Sequence, residues 1–178
     1  MKTTKKGFTL IELIVVIAII GVLAAILVPA MIGYVRQSKI RTADEAATSI
    51  KNGANAALTD MQGGKVKITG AGWLDFTAGT FSAVEAKKGT EAYADFKTDL
   101  KAYIDEYFSD FGKTDGGIYI KEGTCVAAVC SVDGNYWGSY PAGAITSKDY
   151  KSGKSLESPS ITGAKTCLHA YDDTIPAT

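Results

Sequence analysis

The sequence predicts an α+β protein in which a long N-terminal helix and a second helix precede an antiparallel β-sheet. Three observations carry that reading. From Leu13 to Val35 the chain holds no charge, and from Arg36 to Gln62 it continues with apolar residues three or four apart, the period of an α-helix. An aromatic stripe over Glu91–Phe111 has the same period. Beyond Gly116-Gly117 the chain turns to runs rich in β-branched and aromatic residues, two of them separated by Asp133-Gly134, a strong hairpin signal. Helices followed by strands, without alternation between them, describe an α+β layout.

Leu13–Val35 comprises about 23 residues, enough to cross a bilayer as a helix. Glu12 stands at the start of this segment. An ionisable group placed in hydrocarbon is unfavourable without a partner, so Glu12 is a functional candidate by its position. A secretory signal would show a shorter apolar core followed by a small-residue cleavage site. Here the small residue, Gly7, lies before the apolar run, and cleavage after it would expose a new amino terminus at Phe8. Lys2, Lys5 and Lys6 flank the span on that side, which keeps it cytoplasmic and places the bulk of the chain outside.

The string Lys6-Gly7-Phe8-Thr9-Leu10-Ile11-Glu12 followed by a long apolar run resembles the class III leader and processing site of type IV pilins and pseudopilins. The resemblance covers roughly Met1–Tyr34 and includes Gly21 and Pro29, which match a glycine and a helix-breaking proline kept by that family. It implies a type IV pilin-like fold, with the long N-terminal helix packed on an antiparallel sheet and an additional helix before the sheet. It further implies that a prepilin peptidase removes residues 1–7 and N-methylates Phe8, after which the subunit polymerises. On that reading residues 8–35 form the transmembrane and filament-core half of the helix. Residues 36–178 form a globular head with helix 36–62, helix 91–111, and sheet and loops at 117–178. The implied partners are further copies of the chain, the peptidase, the pilus assembly platform, minor pilins, and the membrane before assembly. The implied location is a surface filament, preceded by a single-pass cytoplasmic membrane protein with its head outside.

In the second half of the helix, Ile40, Ala43, Ala47, Ile50, Ala54, Leu58 and Met61 form one apolar face, and Gly63-Gly64 supplies a stop. Asp44, Glu45 and Lys51 read as its solvated side. Gly21 and Pro29 predict a bend or melted turn, because proline removes a helical hydrogen bond and glycine weakens the helix. Lys65–Thr80 reads as irregular chain around Trp73, Leu74 and Phe76, with a short strand at Val66–Ile68. Ser82–Glu85 has capping-box spacing. In the second helix Tyr93, Phe96, Leu100, Tyr103, Ile104, Tyr107, Phe108 and Phe111 should pack the core. Strands are expected at Ile118–Lys121, Cys125–Val132, Asn135–Tyr140 and Ala164–Tyr171.

Cys125, Cys130 and Cys167 all fall in the exported half, where an oxidising exterior favours disulfides; three thiols allow three pairings with one left over. A Cys125–Cys130 bond is disfavoured within one strand, since residues five apart point to opposite faces. Cys167 bonded to one of them is the expected staple, and many pilins fix their C-terminal region to the sheet in this way. The alternative is three buried free thiols.

The chain has 19 basic and 19 acidic residues; without the three leader lysines, 16 basic residues face 19 acidic ones. That balance offers no field for nucleic acid. A single histidine, His169, and no Cys-x-x-Cys pair leave too few ligands for a metal, and no cofactor motif or catalytic constellation is present. Asp149 with Asp172-Asp173 is a weak calcium pattern, better read as solvated acids. Asn135–Tyr140 admits an adhesive, sugar-binding reading beside one of cross-strand packing.

The function expected from these features is that of a structural subunit of a type IV pilus serving adhesion, surface motility or DNA uptake. Two alternatives share the N-terminal features: a pseudopilin of a type II secretion or competence system, and a membrane-anchored binding module that does not polymerise.

Overall fold

The computed structural model describes residues 7–63, 70–82, 96–150 and 160–177. The chain divides into two units, Met1–Arg36 and Gln37–Thr178.

Helix α1, Leu10–Gly63, runs unbroken for 54 residues. In the first unit its apolar side chains from Leu10 to Val35 face outward, and this stretch is long and apolar enough to cross a membrane. The melted turn expected between Gly21 and Pro29 is absent. Both residues lie inside the helix, and the surrounding rungs hold the turn that a single proline weakens. In the second unit, all seven residues of the apolar face (Ile40, Ala43, Ala47, Ile50, Ala54, Leu58 and Met61) are buried.

The sheet is antiparallel and five-stranded, comprising β1 (Ala71–Thr77), β2 (Thr80–Phe81), β3 (Asp115–Lys121), β4 (Thr124–Ser131) and β5 (Trp137–Tyr140). Its order is β2-β1-β3-β4-β5. Helix α2, Phe96–Tyr107, lies between β2 and β3 in the chain, and a 3-10 turn at Phe111–Lys113 leads into β3. Helix α3, Ile161–Tyr171, follows the sheet.

Two apolar layers sandwich the sheet. On one side Ala47, Ile50, Ala54 and Leu58 of α1 and Leu100 and Ile104 of α2 meet Leu74, Phe76, Ile118, Cys125, Ala128 and Cys130. Phe76, Phe81 and Phe111 form an aromatic knot there, with ring centroids 4.8–5.7 Å apart, each pair adding about 0.5–1.5 kcal/mol beyond its buried area. On the other side Ala164, Cys167 and Leu168 of α3 cover Tyr119, Ala127, Val129 and Trp137. Close approach fixes the first layer. A Cβ on Gly53 would sit 2.8 Å from the Ile104 Cα, and one on Gly138 would sit 2.1 Å from the Ala43 carbonyl carbon.

Four expectations are corrected. Trp73, Leu74 and Phe76 belong to strand β1, which pairs with β3 from Ala71↔Lys121 to Phe76↔Gly116; the glycines around them read as loop because that partner is about forty residues away in sequence. Ala164–Tyr171 is helix, started by Ser160, whose Oγ accepts from the Gly163 N–H at 3.1 Å, and the spacing Ala164, Cys167, Leu168 is helical. The β4–β5 connection is a five-residue loop rather than a two-residue turn, because the Asp133 carboxylate folds back to accept from the amides of Asn135 and Tyr136 at 3.0 and 2.9 Å. An extra residue interrupts β4. Tyr119 pairs with Ala127 and Ile120 with Cys125, leaving Val126 as a bulge. The expected strand at Val66–Ile68, the cap at Ser82–Glu85 beyond Ser82, and the first turn of the helix expected from Glu91 lie outside the described residues.

Candidate functional site

The N-terminal turn of α1 is built by Thr9 and Glu12. Glu12 Oε2 accepts from the Thr9 backbone N–H at 2.8 Å and from the Thr9 hydroxyl at 2.7 Å. In return, Thr9 Oγ1 accepts from the Glu12 N–H at 3.3 Å. This is a reciprocal capping box, with Thr9 as N-cap and Glu12 three positions on. Thr9-Leu10-Ile11-Glu12 has its S/T-x-x-E spacing, a signal overlooked in reading Glu12 only as a membrane charge. Both bonds converge on one carboxylate oxygen, and a carboxylate has about four acceptor sites, so the group retains capacity for a cation. Phe8 precedes the cap and is 85% exposed. Gly7, Gly21 and Gly33 each have open space where a Cβ would stand.

A family profile described as "Prokaryotic N-terminal methylation motif" matches residues 2–28, the segment that contains this turn. The type IV major fimbrial protein FimA of Dichelobacter nodosus is 40% identical over 91 residues, covering 48% of this chain and 58% of that protein. The N-terminal part of the chain is thus similar to that of type IV fimbrial proteins. A second fimbrial protein of Dichelobacter nodosus is 35% identical over 118 residues, 66% of this chain and 62% of the relative. The fimbrial protein EcpC of Eikenella corrodens is 47% identical over 60 residues, 34% of this chain and 39% of the relative. The chain thus spans between 39% and 62% of the length of these relatives. No solved structure matches it significantly.

The second unit does not bring its cysteines together. Cys125 and Cys130 are buried free thiols in the layer under α1, whereas Cys167 is buried in the layer under α3. The sheet lies between, so the expected Cys167 staple is not formed. The bulge at Val126 also overturns the parity argument, since it returns Cys125 to the same face as Cys130. Burial pushes the Cys125 thiol up to about 12 and the Cys130 thiol higher still, leaving little thiolate to react. In the native full chain, Cys125 and Cys130 should therefore resist iodoacetamide, and unfolding without reductant should expose both to it. A peptide linking Cys167 to either one would contradict this arrangement.

The C-terminal tail is held by hydrogen bonds. Trp73 Nε1 donates to the Pro176 carbonyl at 2.7 Å, and the His169 ring nitrogen Nδ1 lies 2.8 Å from the Ile175 carbonyl. Asp149 accepts from Thr146 and Asp172 from Thr174, within their own turns. Among the described residues no group of three His, Cys, Asp or Glu side chains is placed to hold a metal. Trp137 of the aromatic segment is buried against α3, and Tyr136 packs on Tyr150 at 5.4 Å, as cross-strand and loop packing would have it.

Asp44 is a further correction: it was expected on the solvated side but is buried. Its Oδ1 accepts from the Ser139 N–H at 2.7 Å, and the Gly143 N–H also donates to it. Burial raises its pKa from 3.8 to about 6, against those two hydrogen bonds, with the Glu45 charge adding to the rise. An acid with a raised folded pKa stabilises the fold below its unfolded value and loses that contribution as pH climbs through the folded value. Between about pH 4 and 7 the head should lose about 2 kcal/mol from this group at 1.36 kcal/mol per unit. Thermal unfolding of the full chain in detergent should show a steeper decline over that range for wild type than for Asp44→Asn, which keeps an oxygen acceptor and has no charge to bury.

Proposed function

We propose that this chain is the structural subunit of a type IV pilus, made as a precursor, cleaved between Gly7 and Phe8, methylated on the Phe8 amine and polymerised through α1. The observation that carries the proposal is the N-terminal turn. A capped carboxylate at Glu12 follows an exposed Phe8 at the start of a helix whose apolar side chains from Leu10 to Val35 face outward. Such a surface needs a bilayer before assembly and other copies of itself afterwards. Similarity to major fimbrial proteins favours a pilus over a pseudopilus.

In this scheme residues 1–7 are the leader, 8–35 the membrane and filament-core segment, and 36–178 the exported head. Glu12 receives the Phe8 ammonium of an adjoining subunit, and only a cleaved subunit can present that ammonium. Gly21 and Pro29 are the positions at which the helix opens if assembly requires it. The prepilin peptidase, assembly platform and minor pilins are the partners, the role is structural rather than catalytic, and the cell surface is the destination.

Mass spectrometry of purified filaments tests the proposal: the chain should begin at Phe8 and carry one methyl group. A mature chain beginning at Met1 would overturn it. Gly7→Val should leave the uncleaved precursor in the membrane, because a small residue is needed before the scissile bond. Short envelope-bound fibres in place of surface filaments would transfer the assignment to a pseudopilus, and a processed chain found only as monomers would indicate an anchored binding module.

A further inference from the structure

The outer edge of the sheet, formed by β5 and by the part of β4 that β5 leaves unpaired, carries backbone groups that a strand from another molecule could pair with if they were uncovered. Asp44, Lys51, Asn55 and Gln62 follow one another in α1 at intervals of seven, four and seven residues, so they form one line along the helix. Asp44 and Asn55 bond backbone groups of this edge, while Lys51 and Gln62 contact the Tyr140 ring and the β3–β4 turn beside it. Asp44 accepts from the Ser139 N–H of β5 at 2.7 Å, and the Lys51 ammonium lies 4.7 Å from the ring centre of Tyr140. Asn55 engages both backbone groups of Cys125: its Oδ1 accepts from the N–H at 2.7 Å and its Nδ2 donates to the carbonyl at 3.1 Å. Gln62 Nε2 donates to the Gly123 carbonyl at 2.7 Å.

β5 pairs with β4 only from Ala128 to Ser131, so Cys125 lies past its end. Asn55 presents there the donor and acceptor that a continued strand would have offered. The outward amide of Trp137 is taken by the Tyr150 hydroxyl, and Gly138 allows the α1 backbone to lie flush against β5. At the opposite edge β2 has two residues and pairs with Phe76 and Thr77 of β1.

We infer that the line Asp44–Lys51–Asn55–Gln62 closes the long edge of the sheet, keeping heads crowded in a filament from pairing strand to strand. Edge strands otherwise template association, and natural sheets block them with bulges, charges or covering elements. The line belongs to α1, so the same helix that supplies the polymerising surface in its first half blocks sheet-mediated assembly with its second.

The test compares full-length chains in detergent. Asn55→Leu keeps the branched shape and the number of heavy atoms and removes both hydrogen bonds to Cys125; combined with Asp44→Ala it uncovers the edge at two points. Leu168→Ala, in the opposite layer, controls for lost stability. Asn55→Leu should speed hydrogen exchange in the peptide containing Cys125 by roughly tenfold or more. The double variant should form oligomers with the infrared signature of intermolecular antiparallel strands. Asp44→Asn, which retains an acceptor, should remain monomeric with Ser139 protected. Unchanged exchange at Cys125 in Asn55→Leu, or equal strand-paired association by Leu168→Ala, would overturn the inference. Should the double variant fail to fold, the exchange of Asn55→Leu decides the matter alone.

Discussion

A chain carrying Glu12→Ala should be inserted and cleaved like wild type yet assemble into filaments at a yield lower by roughly tenfold or more, since an ammonium packed among apolar helices without its counter-charge is strongly unfavourable. The capping box separates two reasons for such a loss. Alanine removes both the negative charge and the side chain that bonds Thr9. Glutamine removes only the charge, because glutamine at the third position still closes the box. Equal failure of Glu12→Gln and Glu12→Ala assigns the requirement to the charge and hence to the Phe8 ammonium of a neighbour. Normal filaments from Glu12→Gln, with failure confined to Glu12→Ala, would assign it to the helix start. Glu12→Asp, with its shorter reach, should be intermediate. Filament yield per unit of processed subunit is the quantity to measure, because it removes any change in insertion or cleavage.

The second large effect is expected inside the head. In Gly138→Ala the new methyl carbon would lie 2.1 Å from the Ala43 carbonyl carbon and 2.2 Å from the Asp44 nitrogen. Both are backbone atoms of a helix pinned along its length, so no side chain can swing away to relieve the overlap. Overpacking costs about 1–3 kcal/mol where a core can adjust and more where it cannot. Here we expect about 3 kcal/mol or more, seen as a fall in the thermal midpoint of the full chain in detergent and a loss of protection at Ser139. The exposed helix position Gly21, which has open space around it, provides the contrast: Gly21→Ala should leave the stability of the head unchanged. A Gly138→Ala chain as stable as wild type would show that α1 does not bear on β5 in this way.

Much of the architecture was legible because it is encoded locally. The α1 face from Ile40 to Met61 repeats with the helical period, and every member is buried. Leu100 and Ile104 of α2 follow the same rule and are buried, as is Phe111, but α2 stops at Tyr107 rather than Phe111, and Tyr107, expected in the core, is exposed. What escaped depends on partners distant in sequence. β1 is a strand because β3 lies beside it, and nothing within Gly70–Thr77 says so. Asp44 looked like one more charge on a wet face, since the strand amide of Ser139 and the loop amide of Gly143 that engage it come about 95 and 99 residues later. The α3 error was avoidable, because Ser160 followed by Ala164, Cys167 and Leu168 offers a cap and a helical stripe. At the N-terminal site, Gly7, Phe8 and Glu12 stood out from sequence alone. The engagement of Glu12 by Thr9 was legible as well, in the Thr9-x-x-Glu12 spacing of a capping box.

The bulge at Val126 gives β4 an unusual tolerance to shortening. Residues on a strand alternate between the two layers, so losing one normally exchanges the faces of everything on one side of the gap. Val126 is the exception, because it is already the surplus member of its pairing. A chain lacking it would have Cys125 next to Ala127 in a regular strand, with Cys125, Ala128 and Cys130 still toward α1 and Ala127 and Val129 still toward α3. Removal of Val129 instead would turn one arm of β4 inside out. Length variation among natural versions of this strand is therefore expected to concentrate at the bulge, and a single-residue deletion scan through Thr124–Ser131 should recover the most stable chains at Val126 or the adjoining Ala127.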